Sequence, residues 1–290
     1  MKKAWEWDYE LFCSAVPVKN RTDLIEWDGL LEGKFLEEAR QMLENGKGAW
    51  SKPLPESKAP YSNMGYEVSK AEALIPQAFD AIREERLIDL QIINARVFKY
   101  LAEAPKIPDH PYWSHTIYET FEQYLKNVRL EEYPDYTLPK REELFDRVHG
   151  GWLGEIIGSA LGTAVEGFKS SRLWEVFGEI DGYVKPPETL NDDITFELAL
   201  LDAFLEKGFA ISSDDIADKW VGLIPFAYTA EEVALRHMRS GIYPPQSGYL
   251  VNPYREMIGA AMRAAVCGAL APGRPRLAAE LAWKDGRVSH

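Results

Sequence analysis

The sequence predicts an all-α protein, and three observations carry that expectation. Apolar residues recur at helical spacing from Ser69 to Ala104. Gly150, Gly154, Gly158 and Gly162 recur every fourth position within HGGWLGEIIGSALGTAVEGF. Extended segments are scarce, GEIDGYVKPP being the one short piece with a strand-like character.

Taken in order, a helix is expected from Leu30 to Leu43, stopped by the glycines of NGKGAW. Over 69–104 the apolar stripe is Leu74, Ala78, Ile82, Leu87, Leu90, Ile93, Val97 and Leu101. Arg83, Glu84 and Glu85 mark its wet side, and Pro105 lies just beyond its end. Pro76 belongs in a first turn or at a kink, where its missing N–H does least damage. Proline-rich connectors punctuate the chain at 52–60, 105–111 and 133–139. The last, YPDYTLPKREEL, is where composition changes from aromatic and charged to glycine- and alanine-rich. It divides the chain into a helical N-terminal segment, 1–140, and a second domain, 141–290. The tryptophans of the first part, Trp5, Trp7, Trp27, Trp50 and Trp113, read as core and docking surface.

Charge and cysteine usage narrow the partners. The formal net charge of the 290-residue chain is -13, which disfavours a grip on nucleic acid or on anionic lipid. An anionic nucleotide remains accessible if a divalent cation supplies the positive potential. Cys13 and Cys267 form neither a disulfide framework nor a thiolate zinc site. Glu6, Asp8 and Glu10 interrupt the N-terminal stretch, so no signal peptide is read, and no apolar run is long enough to span a membrane. A cytoplasmic protein is expected.

Three stretches could carry chemistry. The glycine stripe costs about 1 kcal/mol of helix propensity per glycine, so another helix or a ligand is expected to approach it closely. Glu166 ends that stretch, either as a solvated helix-end residue or as a carboxylate aimed into a cleft. Next, Asn191, Asp192 and Asp193 precede the apolar run ITFELALLDAFL. They are good first-turn residues, but three adjacent oxygen-bearing side chains also suit a hard cation. Asp214 and Asp215 make a useful contrast, because Ser212 and Asp215 match the capping-box spacing and explain that pair fully. In the third stretch, NPYREMIGAAMRAAVCGALAPG, small residues predict a buried helix, with Arg255 and Arg263 as candidate anion contacts. The five histidines form no zincin or serine-hydrolase grouping.

In their order, GGWLGEIIGSALGTAVEG, LNDDITFELALL and NPYREMIGAAMRAAVCGALAPG resemble the ADP-ribosylglycohydrolase family over about 144–290. The similarity is to a bacterial subgroup reading NDDI and NPYRE at these places. It implies an all-α, ADP-ribosylglycohydrolase-like helical bundle preceded by the additional helical segment. The family's Thr-Asp-Asp metal motif falls on Asn191, Asp192 and Asp193, and its glutamate after the glycine helix falls on Glu166 as catalytic acid/base or gate. Its Gly-Asp reads Gly158-Ser159 here, and Ile258-Gly259 stands where Asn-Gly is usual. The second metal motif, Asp-x-Asp-Thr, is not met before His290, so the bundle reads as incomplete and holds half the ligands of a binuclear Mg2+ site.

The resemblance thus implies magnesium-dependent hydrolysis of an ADP-ribosyl or related ribosyl glycosidic bond. The substrate would be an ADP-ribosylated protein or a small ADP-ribosyl compound, with a partner chain as one source of the second motif. The alternative is a non-catalytic binding or structural module that keeps the scaffold. A metal phosphohydrolase is disfavoured, because the histidines such helical sites use are missing.

Overall fold

The computed structural model describes residues 61–165, 170–186 and 191–290. The helix expected over 30–43, Glu166, Cys13 and the first four tryptophans lie outside them. Of the described residues, Pro76–Asn94 belong to one compact unit, and 61–75 with Ala95–His290 to a second. The described chain is helical, and its one pairing of extended backbone is an isolated antiparallel bridge between Tyr66 and Lys106. The described part of GEIDGYVKPP, 178–186, is irregular, with Gly178 at φ 69 and no strand beside it among the described residues.

The helix expected over 69–104 is broken into α1 (Ser69–Glu72), α2 (Ile75–Arg83) and α3 (Leu87–Ala102). Pro76 does sit in a first turn, that of α2. The break after α2 is made by Glu85, whose φ is 52. There the Arg86 N–H reaches the Ala81 carbonyl (2.8 Å) and the Glu85 N–H reaches that of Ile82 (3.2 Å), a Schellman closure on a non-glycine residue. Along α3, Leu90, Ile93, Val97 and Leu101 are buried at the expected spacing.

In the second unit, α4 (Phe121–Asn127) starts at Thr120, whose hydroxyl accepts the Gln123 N–H at 3.2 Å. Phe121 and Tyr124 lie against Trp283, with ring centroids 6.0 and 5.8 Å away. Then follow α5 (Arg141–Thr163), α6 (Ser170–Phe177), α7 (Asp192–Lys207), α8 (Ser213–Leu223), α9 (Thr229–Arg239), α10 (Gln246–Tyr249), α11 (Gly259–Met262), α12 (Ala265–Leu270) and α13 (Pro275–Gly286). Helix α8 opens on the expected box: Ser212 Oγ accepts the Asp215 N–H at 3.2 Å, and the Asp215 carboxylate accepts the Ser212 N–H at 2.9 Å.

The core forms where α7 lays Phe196, Ala199, Leu200 and Ala203 against Ile216, Ala217 and Trp220 of α8, with Leu235, Val266 and Leu281 completing it. The spacing of those α7 residues is one helical stripe, and Phe196 and Trp220 sit with centroids 4.3 Å apart.

The expectation of one helix over 252–273 is corrected here, while the glycine stripe meets no neighbour among the described residues: outside the backbone of α5 itself, no described atom would lie within 4 Å of a Cβ added at Gly150, Gly154, Gly158 or Gly162. Helix α5 meets the core through Trp152 and the start of α7 through Ser159, on the face beside the glycines. The stretch 252–273 is not one helix. The Val266 N–H, which a continuous helix would give to Met262, is taken instead by the Glu197 carboxylate of α7 at 2.8 Å. The close approach falls on Gly259, where a Cβ would run into the carboxylate of Glu231.

Candidate functional site

The start of α7 is fixed by Asn191. Its Oδ1 caps the helix by accepting the Ile194 N–H at 3.3 Å, and its backbone carbonyl accepts from the Thr195 hydroxyl at 2.6 Å. Its Nδ2 donates to Ser159 Oγ on α5 at 2.6 Å. Asp192 and Asp193 occupy the first turn, half-buried, where the helix dipole favours negative charge. The structure therefore brings Asn191, Asp192 and Asp193 together and sets them beside α5.

Further acids gather around them. Burial raises the Glu155 carboxyl of α5, and the charge of Asp193 raises it further. Glu197, one turn after Asp193, is fully buried and has one oxygen on Val266 N–H. Its other oxygen has no partner among the described residues. Burial pushes this carboxyl up to about 7 against the pull of the Val266 N–H, and Glu155, Asp193 and Asp285 push the same way. On α9, burial raises Glu231, Arg263 draws it back, and Asp192 adds to the rise.

Arg263 answers part of this charge, and it is no anion contact. Its guanidinium is buried over Trp220 and Phe196, 4.8 and 5.4 Å from the ring centroids. All five of its donors are engaged: Nε to Asp285 Oδ2 (2.6 Å), Nη1 to Glu231 Oε1 (2.7 Å) and to the Gly259 carbonyl (2.9 Å), Nη2 to Ser289 Oγ (2.8 Å) and to the Asp285 carbonyl (3.4 Å). Arg255 is likewise spent, stacked 4.8 Å from the Tyr249 ring and 5.8 Å from that of Tyr61. The candidate site is thus an acidic junction in which the Arg263 guanidinium is fully committed to Glu231, Asp285, Gly259 and Ser289.

Asp192 and Asp193 have the chemistry a hard cation requires, two carboxylates beside other acids. Enclosure is another matter: among the described residues no three His, Cys, Asp or Glu side chains converge on one point. Of the described carboxylates, Asp192 and Asp193 at the start of α7 are the ones whose chemistry suits a share of a Mg2+ site. Glu155, Glu197 and Glu231 escaped notice in the sequence. The signal for Glu197 was there: a carboxylate within FELALL, next to the buried stripe of Phe196, Ala199 and Leu200.

A family model described as ADP-ribosylglycohydrolase matches residues 140–290. The chain belongs to the ADP-ribosylglycohydrolase family. The match opens one residue before α5 and takes in every helix of the acidic junction. Neither a curated protein nor a solved structure matches the chain. Membership points to hydrolysis of the glycosidic bond of ADP-ribose as the chemistry of this ADP-ribosylglycohydrolase-family domain. Among the described residues no helix is long and apolar enough to cross a membrane.

Proposed function

We propose that this chain serves the magnesium-dependent hydrolysis of an ADP-ribosyl or related ribosyl glycosidic bond, in a cytoplasmic setting. The observation that carries the reading is the pair Asp192 and Asp193, half-buried at the start of α7 within the matched region, beside the raised carboxyls of Glu155, Glu197 and Glu231. Asp192 and Asp193 would hold Mg2+, with the remaining ligands supplied from outside the described residues, a partner chain being one source. Bound there, the ion supplies Lewis-acid polarisation and a more acidic water next to an anionic substrate.

The chain's own groups do the rest. Asp192 and Asp193 set the negative potential that attracts the cation, and Trp220 and Phe196 keep the Arg263 side of the junction dry. By resemblance, Glu166 delivers or removes the proton at the scissile C1'' bond. The substrate is an ADP-ribosylated protein or a small ADP-ribosyl compound; nucleic acid and membrane are not partners in this reading.

The test is release of ADP-ribose from arginine-, serine- and small-molecule-linked ADP-ribosyl substrates by the full chain, with Mg2+ and with EDTA. The proposal expects release that EDTA stops and that Asp192→Asn with Asp193→Asn reduces at least a hundred-fold, the scale on which losing a principal electrostatic element acts. Turnover indifferent to both would sink it. One observation favours a second reading, a binding module without turnover: the described donors do not converge around an ion. Binding of ADP-ribose with no release from any substrate would select that reading.

A further inference from the structure

Each end of the Asn191 side chain has a protein partner. Its Oδ1 serves the Ile194 N–H (3.3 Å), and its Nδ2 donates to Ser159 Oγ (2.6 Å). The Ser159 hydroxyl proton in turn points to the Glu155 carbonyl in its own helix, at 2.8 Å, which leaves its lone pair for the amide. This chain of donors fixes the amide orientation. Turning it over would set Nδ2 against the Ile194 N–H, donor facing donor, and strip the helix of its cap. The capping bond uses one lone pair of Oδ1 and holds the side chain over the first turn of α7.

We propose that Asn191 is a positioning residue: with Ser159 it forms a strut between α5 and the first turn of α7 that sets the direction of Asp192 and Asp193. The strut crosses 32 residues of sequence. It ties the helix carrying Glu155 to the one carrying both aspartates. Its link to cation affinity rests on the proposed function; its existence does not.

Two measurements test it. In Mg2+-free protein, the side-chain amide protons of Asn191, followed by NMR, are expected to exchange slowly in the wild type. They should do so in Ser159→Thr, which keeps the hydroxyl, and lose that protection in Ser159→Ala. With Mn2+ as the probe, Ser159→Ala and Asn191→Ala should each weaken binding by roughly ten-fold, the scale of an outer-shell contact. The double variant should be no weaker than either, and Ser159→Thr should bind as the wild type does. An amide signal indifferent to Ser159→Ala overturns the strut. So does an Asn191→Ala loss that multiplies with the Ser159→Ala loss, as an independent ligand would give. If the wild type takes up no Mn2+, the cation reading fails and the NMR result decides the strut alone.

Discussion

Glu197→Gln should make the protein more stable, and more so as the pH rises. The carboxyl is buried and one of its oxygens has no partner among the described residues. Burial, backed by Glu155, Asp193 and Asp285, takes it from 4.5 up to about 7. Below pH about 4.5 it carries its proton in both the folded and the unfolded chain. As the pH climbs, the unfolded chain releases the proton first, so stability falls until the folded carboxyl ionises near 7 and is level above that. A gap of about 2.5 pH units at about 1.4 kcal/mol each costs about 3 kcal/mol once the pH is above 7. Glutamine still offers a carbonyl to the Val266 N–H and carries no charge at any pH. Urea unfolding at pH 5 and pH 8 reads the effect: the gain over wild type should be about 2–3 kcal/mol larger at pH 8. A gain that is the same at both pH values would refute the account of Glu197.

Other substitutions probe the same scaffold. Ser212→Ala removes half of the capping box on α8 and should cost about 1 kcal/mol in urea unfolding; no change would mean the box is ornamental in solution. Arg263→Met strands Glu231 and Asp285 in the core, and a loss of about 3–5 kcal/mol is expected. That loss should shrink as the pH is lowered, because both carboxyls are raised by burial and can take up protons; a loss independent of pH would argue against buried ionised partners. Gly259→Ala drives a methyl into the Glu231 carboxylate and should cost about 1–3 kcal/mol. A thermal melt superimposable on the wild type would contradict that contact.

The parts of the fold written in local spacing were legible in the sequence. The all-α class, the burial of Leu90, Ile93, Val97 and Leu101, and the Ser212–Asp215 box all follow from residues within a turn or two of one another. So did the start of α7, since Asn191 and the two aspartates are themselves the signal. What was misread depends on partners far along the chain. The break in 252–273 is made by Glu197, 69 residues before the N–H it captures. Arg263 reads as an anion contact until Glu231 and Asp285, 32 and 22 residues away, are seen to claim it. The periodic glycines of α5 meet no close neighbour among the described residues, and α5 reaches the core and α7 through Trp152 and Ser159. The break after α2 needed a left-handed glutamate, Glu85, which no glycine announced.

Whether Asp192 and Asp193 hold a divalent cation is read most directly by a calorimetric Mg2+ titration of the full chain beside Asp192→Asn with Asp193→Asn. Saturable Mg2+ uptake by the wild type is expected, abolished in the paired variant while that variant still unfolds cooperatively. Equal uptake by both proteins, or none by the wild type, would contradict it.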